Sequence, residues 1–138
     1  FALKTNGTLW AWGNNAFGQL GIGPGNSYVP MQIGTDNNWK AVAAGITYGV
    51  ALKTDGSLWS WGSNYFGQLG DGTQTDRNSP AQVGNARNWV SVFGGYTNTF
   101  AKKADGTLWA WGNNDNGQLG IGSTTNSLVP VLVNCPQL

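Results

Sequence analysis

Few residues of this chain are of the kinds that do chemistry. Six Asp, no Glu, no His and one Cys are spread over 138 residues. A Ser or Cys nucleophile needs an adjacent base, most often His, so hydrolytic triads have no base here and the chain reads as a non-enzyme. The carboxylates are Asp36, Asp55, Asp71, Asp76, Asp105 and Asp115. Asp55 and Asp105 precede Gly in turn-forming pairs. Asp71 stands where two other copies of a repeated segment carry Ile22 and Ile121, and with Asp76 it brackets Gly72-Thr73-Gln74-Thr75. Clustered oxygens of this sort can hold Ca²⁺, but a plain polar loop is the reading preferred, and no metal or cofactor is expected. Net charge is +1, and Lys102-Lys103 is the one basic doublet. It falls where other copies read Leu3-Lys4 and Leu52-Lys53, which suggests a solvated strand position. A nucleic-acid binder needs a concentrated basic footprint, and none is present. Cys135, being alone, excludes an internal disulfide framework, and no apolar run approaches the roughly 20 residues of a membrane span.

The remaining chemistry is aromatic. Leu-Trp-Ala-Trp-Gly at 9–13, Leu-Trp-Ser-Trp-Gly at 58–62 and Leu-Trp-Ala-Trp-Gly at 108–112 are each followed by Gly-Gln-Leu-Gly, at 18–21, 67–70 and 117–120. Indole faces can stack on sugars, but Trp10, Trp12, Trp59, Trp61, Trp109 and Trp111 recur identically in every copy, so their role is in the shared fold. A unit repeated at this length cannot bury its own apolar surface and must stack on its neighbours.

The elements that would position these residues follow from the period. Trp10 to Trp59 is 49 residues and Trp59 to Trp109 is 50. The difference lies between Gly23 and Pro30, so the run from Gln19 to Pro30 and its counterparts is expected to be an exposed loop. Three repeats result: 1–49, 50–99 and an incomplete 100–138. Asn6-Gly7, Asp55-Gly56 and Asp105-Gly106 separate apolar runs, which predicts tight hairpins with type I′ turns, their arms being 1–4 with 8–12, 49–53 with 57–61 and 99–103 with 107–111. Along the second arm, alternation puts Trp59 and Trp61 on one face and Leu58 and Ser60 on the other. Apolar residues on both faces suit a sheet held between two others. A buried Trp removes about 150–250 Å² from water, a gross gain of roughly 4–6 kcal/mol, which makes the Trp pairs the expected glue between units. Strands are further expected at Met31–Ile33, Ala81–Val83 and Val131–Val133, after the prolines, and at Lys40–Ala44 and Val90–Gly94. Small residues ending the last pair suit convergence on an axis. The fold class is all-β: propeller blades of four antiparallel strands, just under three repeats of about 50 residues, a partial propeller.

Through Ala-Leu-Lys-Thr-Asp-Gly-Ser-Leu-Trp-Ser-Trp-Gly-Ser-Asn-Tyr-Phe-Gly-Gln-Leu-Gly-Asp-Gly at 51–72 and its echoes along essentially the whole chain, the sequence resembles the regulator of chromosome condensation repeat family. The resemblance implies blades of a seven-bladed propeller. It leaves the partner open, since known relatives include a nuclear exchange factor for a small GTPase, a secreted protein inhibitor of β-lactamases and bacterial surface proteins. Family repeats often carry His in the segment aligned with Tyr48 and Asn98, where this chain has none, and no β-wedge of the exchange-factor kind is recognisable. The long polar loops resemble the bacterial, exported branch, which implies an extracellular or cell-surface location.

A propeller needs at least about four blades to close. Phe1 aligns with Val50 and Phe100, already inside a repeat, and Leu138 aligns with Asn88, so a fragment of a longer propeller is expected, its other blades coming from a longer chain or another copy. Recognition should sit in loops that differ between copies: Ala16, Tyr65 and Asp115 at one position, Phe17, Phe66 and Asn116 at the next, Tyr28, Asn78 and Leu128 at a third. Tyr and Arg dominate many interfaces, which selects Tyr65, Phe66, Arg77 and Tyr96 as candidates for binding a protein partner. Carbohydrate binding or cell-surface adhesion, through Phe17, Tyr28, Tyr65, Phe66 and Tyr96, is the alternative.

Overall fold

A computed structural model describes residues 1–134; Cys135 and Leu138 lie outside the described residues. The strands are β1 Ala2–Leu3, β2 Leu9–Gly13, β3 Ser27–Gln32, β4 Trp39–Ala44, β5 Tyr48–Lys53, β6 Leu58–Gly62, β7 Arg77–Gln82, β8 Trp89–Gly94, β9 Asn98–Lys103, β10 Leu108–Gly112 and β11 Ser127–Leu132. They form three antiparallel sheets, ordered β1-β2-β3, β4-β5-β6-β7 and β8-β9-β10-β11. The fold is all-β and the sheets are propeller blades. The sequence period and the sheets are out of phase, because each Trp-led strand opens a new sheet and pairs with the hairpin that follows it. Among the described residues, no helix is long and apolar enough to cross a membrane.

The hairpins form where Asn-Gly and Asp-Gly place them, with a different turn. A type I′ turn needs positive φ at both central residues, yet Asn6, Asp55 and Asp105 keep negative φ, and only Gly7, Gly56 and Gly106 are left-handed. The Gly7 amide donates to the Lys4 carbonyl and the Lys4 amide to the Thr8 carbonyl, both at 2.9 Å. This is a three-residue loop, a type I turn closed by a glycine bulge. The Asx side chain favours it, since the Asp55 carboxylate accepts from both the amide and the hydroxyl of Ser57. The Ser57 hydroxyl in turn accepts the Trp59 indole N–H at 2.8 Å. The same chain runs from Asn6 through Thr8 to Trp10 and from Asp105 through Thr107 to Trp109.

Alternation then sorts the faces. Leu9, Ala11, Leu20 and Ile33 of the first sheet pack on Trp39, Val42, Ala51, Trp59 and Trp61 of the second. The other face of the second sheet, Val50, Leu52, Leu58, Leu69 and Val83, packs on Trp89, Val92, Ala101, Trp109 and Trp111 of the third. Each interface therefore sets the indoles of one blade against the aliphatic face of the blade before it. Trp61 and Trp111 are fully buried, and their indole N–H groups reach back to the carbonyls of Gln19 and Gln68 at 2.9 Å.

β3, β7 and β11 run through Pro30, Pro80 and Pro130 and begin before them, not after. They are edge strands, where a missing N–H costs no ladder bond, and each ladder slips before its Ser27, Arg77 or Ser127 end. The Gln19–Pro30 run is exposed only in part: Pro24–Asn26 and Tyr28–Pro30 face solvent, but Leu20 and Ser27 are buried. At the opposite edge the inner strands nearly touch, as a Cβ on Gly94 would stand 2.5 Å from the Ala44 carbonyl oxygen.

Candidate functional site

The connections after β2, β6 and β10 are held by an asparagine hub. Asn64 is fully buried; its amide donates to Asp76, its side-chain oxygen accepts from Leu69 N–H at 3.0 Å, and its Nδ2 donates to the Thr73 carbonyl at 2.9 Å. Asn15 and Asn114 repeat the pattern toward Gly23 and Gly25, and toward Ser123 and Thr125. Gln68 adds a bond from the Phe66 amide to its side chain. These residues were not among the sequence candidates. Their signal was there: Asn15, Asn64 and Asn114 recur three residues before each Gly-Gln-Leu-Gly. A long loop pinned at so many points presents its remaining side chains at little cost in ordering.

Tyr65 is such a side chain, 71% exposed, with its ring centre 4.9 Å from that of Phe66 in an edge-on pair. Arg77, at the start of β7, has its guanidinium on Asp71, with Nε and Nη2 at 2.9 and 2.8 Å from Oδ2. Tyr96, 70% exposed, stands apart in the β8–β9 turn, at the same end of the sheets. Thus Tyr65 meets Phe66 while Arg77 is engaged within the loop. Asp71 and Asp76 also serve the loop: Asp71 Oδ1 accepts from the amide and hydroxyl of Thr73. Burial pushes the Asp71 carboxyl up, but bonds from Thr73 and Arg77 outweigh it and hold the group below its ordinary value. Among the described residues, no three His, Cys, Asp or Glu side chains cluster to hold a metal.

Tyr48 and Asn98, which hold corresponding places in successive repeats, touch each other. The Tyr48 hydroxyl donates to the Asn98 carbonyl at 2.6 Å, tying the second sheet to the third. Burial pushes this phenol up to about 12, against the opposing pull of Thr99 and Gly95.

Of the hairpin lysines only Lys53 is buried, Lys103 is half-buried, and Lys4 and Lys102 are exposed, as a solvated strand position requires. Lys53 lies 3.9 Å above the Trp59 ring and 4.8 Å from Trp39, and its Nζ meets Asp36 Oδ2 at 2.9 Å. Lys103 stands likewise 3.9 Å from Trp109 and 4.8 Å from Trp89, and Lys4 is 3.9 Å from Trp10. The indole faces draw the ammonium inward, a contact worth about 0.5–2 kcal/mol. Above Lys103 a cavity of about 320 Å³ opens between the second and third sheets.

A pinned loop system on stacked blades of three and four antiparallel strands defines a β-propeller repeat protein. The regulator of chromosome condensation (RCC1) repeat matches residues 6–52, 55–101 and 105–137, with a second form of that repeat at 39–68 and 89–118. The chain belongs to the RCC1 repeat family. Among solved structures it is similar to yeast RCC1 (Prp20) bound to Kap60, at TM-score 0.88 and 24% identity over 98% of this chain and 35% of that one. Prp20p from Saccharomyces cerevisiae, described with its binding to Gsp1p and histones, gives TM-score 0.85 at 24% identity, covering 98% of this chain and 36% of that one. Human WBSCR16 gives 0.83 at 26% identity, covering 95% and 35%. The chain thus spans about a third of the length of these structures. No curated protein matches the sequence.

Proposed function

We propose that the chain is a noncatalytic scaffold that binds a protein through the loops at one end of its blades, using Tyr65, Phe66, Arg77 and Tyr96. The observation that carries this reading is the Tyr65–Phe66 pair, with Tyr65 71% exposed on a loop whose backbone is fixed by Asn64 and Gln68. An aromatic anchor on a rigid loop is how interface energy concentrates. Two yeast structures in this fold concern proteins that bind other proteins, Kap60 in one case and Gsp1p and histones in the other. In this reading the blades belong to a longer propeller, further blades from a longer chain or a second copy covering the Trp10–Trp12 face.

Affinity capture with the chain and with a Tyr65→Ala/Tyr96→Ala variant tests the proposal. Captured proteins should be lost from the variant, each anchor contributing about 2 kcal/mol, while the unfolding midpoint stays in place. Unchanged capture would remove the case for these residues. Carbohydrate binding has one observation in its favour, Tyr28 at 92% exposure. A glycan array signal that disappears with Tyr28→Ala would favour it over protein binding.

A further inference from the structure

The two interfaces between blades share an indole-and-lysine frame and differ at two carboxylate positions, Asp36 against Ala86 and Ile22 against Asp71, as well as at neighbours such as Ser79 against Val129. Lys53 stands over Trp39 and Trp59 in the first as Lys103 stands over Trp89 and Trp109 in the second. Asp36 in the first becomes Ala86 in the second. Asp36 comes from the loop before β4 and pairs with Lys53 at 2.9 Å, and that lysine's side chain is only 8% exposed. Lys103 has the same place over its two indoles, yet among the described residues it has no ion-pair partner. The cavity of about 320 Å³ lies there, walled by Val83, Ala86, Trp89, Trp109 and Val129, with Gln82 and Asn85 at its edge.

We propose that this cavity receives an acidic side chain of a bound protein, whose carboxylate pairs with Lys103 as Asp36 pairs with Lys53. The proposal rests on the reading of the chain as a protein-binding scaffold and names the chemistry of what it binds. Asp36 is itself a carboxylate delivered from a polypeptide loop, so the fold demonstrates the contact once with its own residue. Aliphatic and indole walls suit the methylene stem, and the exposed Asn85 and Val129 leave the mouth open to a main chain. One acid already lines the cavity, Asp71, but both its oxygens are taken, Oδ2 by Arg77 and Oδ1 by Thr73 and Asn64. Asp105, in the hairpin below Lys103, is held by Thr107 and has its counterpart in Asp55 beneath Lys53. The cavity's cation with no direct ion-pair partner among the described residues is therefore Lys103, on which Asp105 acts only through space. The wall continues through Asp71 to Arg77, so the cavity adjoins the candidate binding loop.

The probe is N-acetyl-glutamate N-methylamide, with N-acetyl-glutamine N-methylamide as its neutral twin, read by NMR at the Lys103 ε-methylene and the Trp109 indole N–H. The glutamate probe should shift both signals saturably and the glutamine probe neither. Ala86→Asp restores the internal pair and should weaken binding by about tenfold or more. Asp36→Ala should open the matching site, doubling the stoichiometry and bringing Lys53 and Trp59 into the response. Three results would overturn the proposal: no carboxylate-dependent shift, equal binding by Ala86→Asp, or one site only in Asp36→Ala. Free glutarate binding about tenfold more tightly than the peptide probe would also overturn it, by making the site one for small acids. Since the titration uses no protein partner, its failure is separate from failure of the capture experiment.

Discussion

Trp61 and Trp12 occupy the same place in the same five-residue motif, and only the blade packed on them differs. Trp61 is fully buried, with its ring edge-on to Phe1 at 5.6 Å and to Trp39 at 6.2 Å. Its N–H is bonded to Gln19, and Gly49 lies so close beneath the ring that a Cβ there would stand 2.6 Å from it. Trp12 is 47% exposed and lies on the face of the first sheet opposite Leu9 and Ala11, where among the described residues no sheet covers it. Removing a buried indole to Ala costs about 3–5 kcal/mol through lost transfer and the cavity left behind. Trp61→Ala also leaves the Gln19 carbonyl without its donor, adding about 1 kcal/mol. For Trp12→Ala, roughly half the burial is at stake and the site can relax into solvent, so about 1–2 kcal/mol is expected. Urea unfolding followed by far-ultraviolet circular dichroism should separate the two variants by at least about 2 kcal/mol. Because units of a repeat array are coupled through their interfaces, hydrogen exchange in Trp61→Ala should rise first in β1–β3. Equal destabilisation by the two substitutions would refute the claim that each indole pair acts by clamping its blade to the preceding one.

Gly56→Ala and Gly106→Ala separate backbone strain from crowding. Both glycines have positive φ, but a Cβ on Gly56 would stand 2.1 Å from the Arg87 carbonyl oxygen, whereas among the described residues nothing lies within 4 Å of one on Gly106. Gly106→Ala should cost about 1–2 kcal/mol, the left-handed penalty alone, and Gly56→Ala clearly more; equal thermal midpoints would contradict the packing described. Asp71 sets an acid limb. Its carboxyl is depressed in the folded chain, so its stabilising contribution is complete above the unfolded value of about 3.9 and disappears as pH falls through the lower folded value. Stability measured against pH should decline below about pH 4, and Asp71→Asn should make that decline shallower; an unchanged slope would mean the Arg77 and Thr73 contacts contribute nothing.

Much of the architecture was legible because it depends on local rules repeated three times. Asn-Gly and Asp-Gly mark hairpins wherever they fall between apolar runs, and the Leu-Trp-x-Trp alternation assigns a side to every residue of β2, β6 and β10. The detail of the turn was not legible, because a type I′ turn and a type I turn with a glycine bulge use the same residue pair, and the hydroxyls of Thr8, Ser57 and Thr107 tip the balance. Nor was the phase of the sheets. A period is the same wherever counting begins, and only strand pairing shows that Trp39 and Trp89 open sheets. The asparagine hubs were marked in the sequence by their recurrence before each Gly-Gln-Leu-Gly, but that recurrence does not tell their role, since a buried Asn looks like any loop Asn until its partners close around it.

The sequence alone bounds the chain to an all-β stack without a histidine base, because residue type, alternation and period are properties of neighbours along the backbone. Tertiary structure alone decided what each repeated residue touches. Lys4, Lys53 and Lys103 are one residue type at one place in the repeat, yet Lys53 is buried against Asp36 and Lys103 borders an open cavity. The difference arises because the carboxylate that distinguishes them lies 17 residues away in sequence, on a loop brought alongside only when two blades stack.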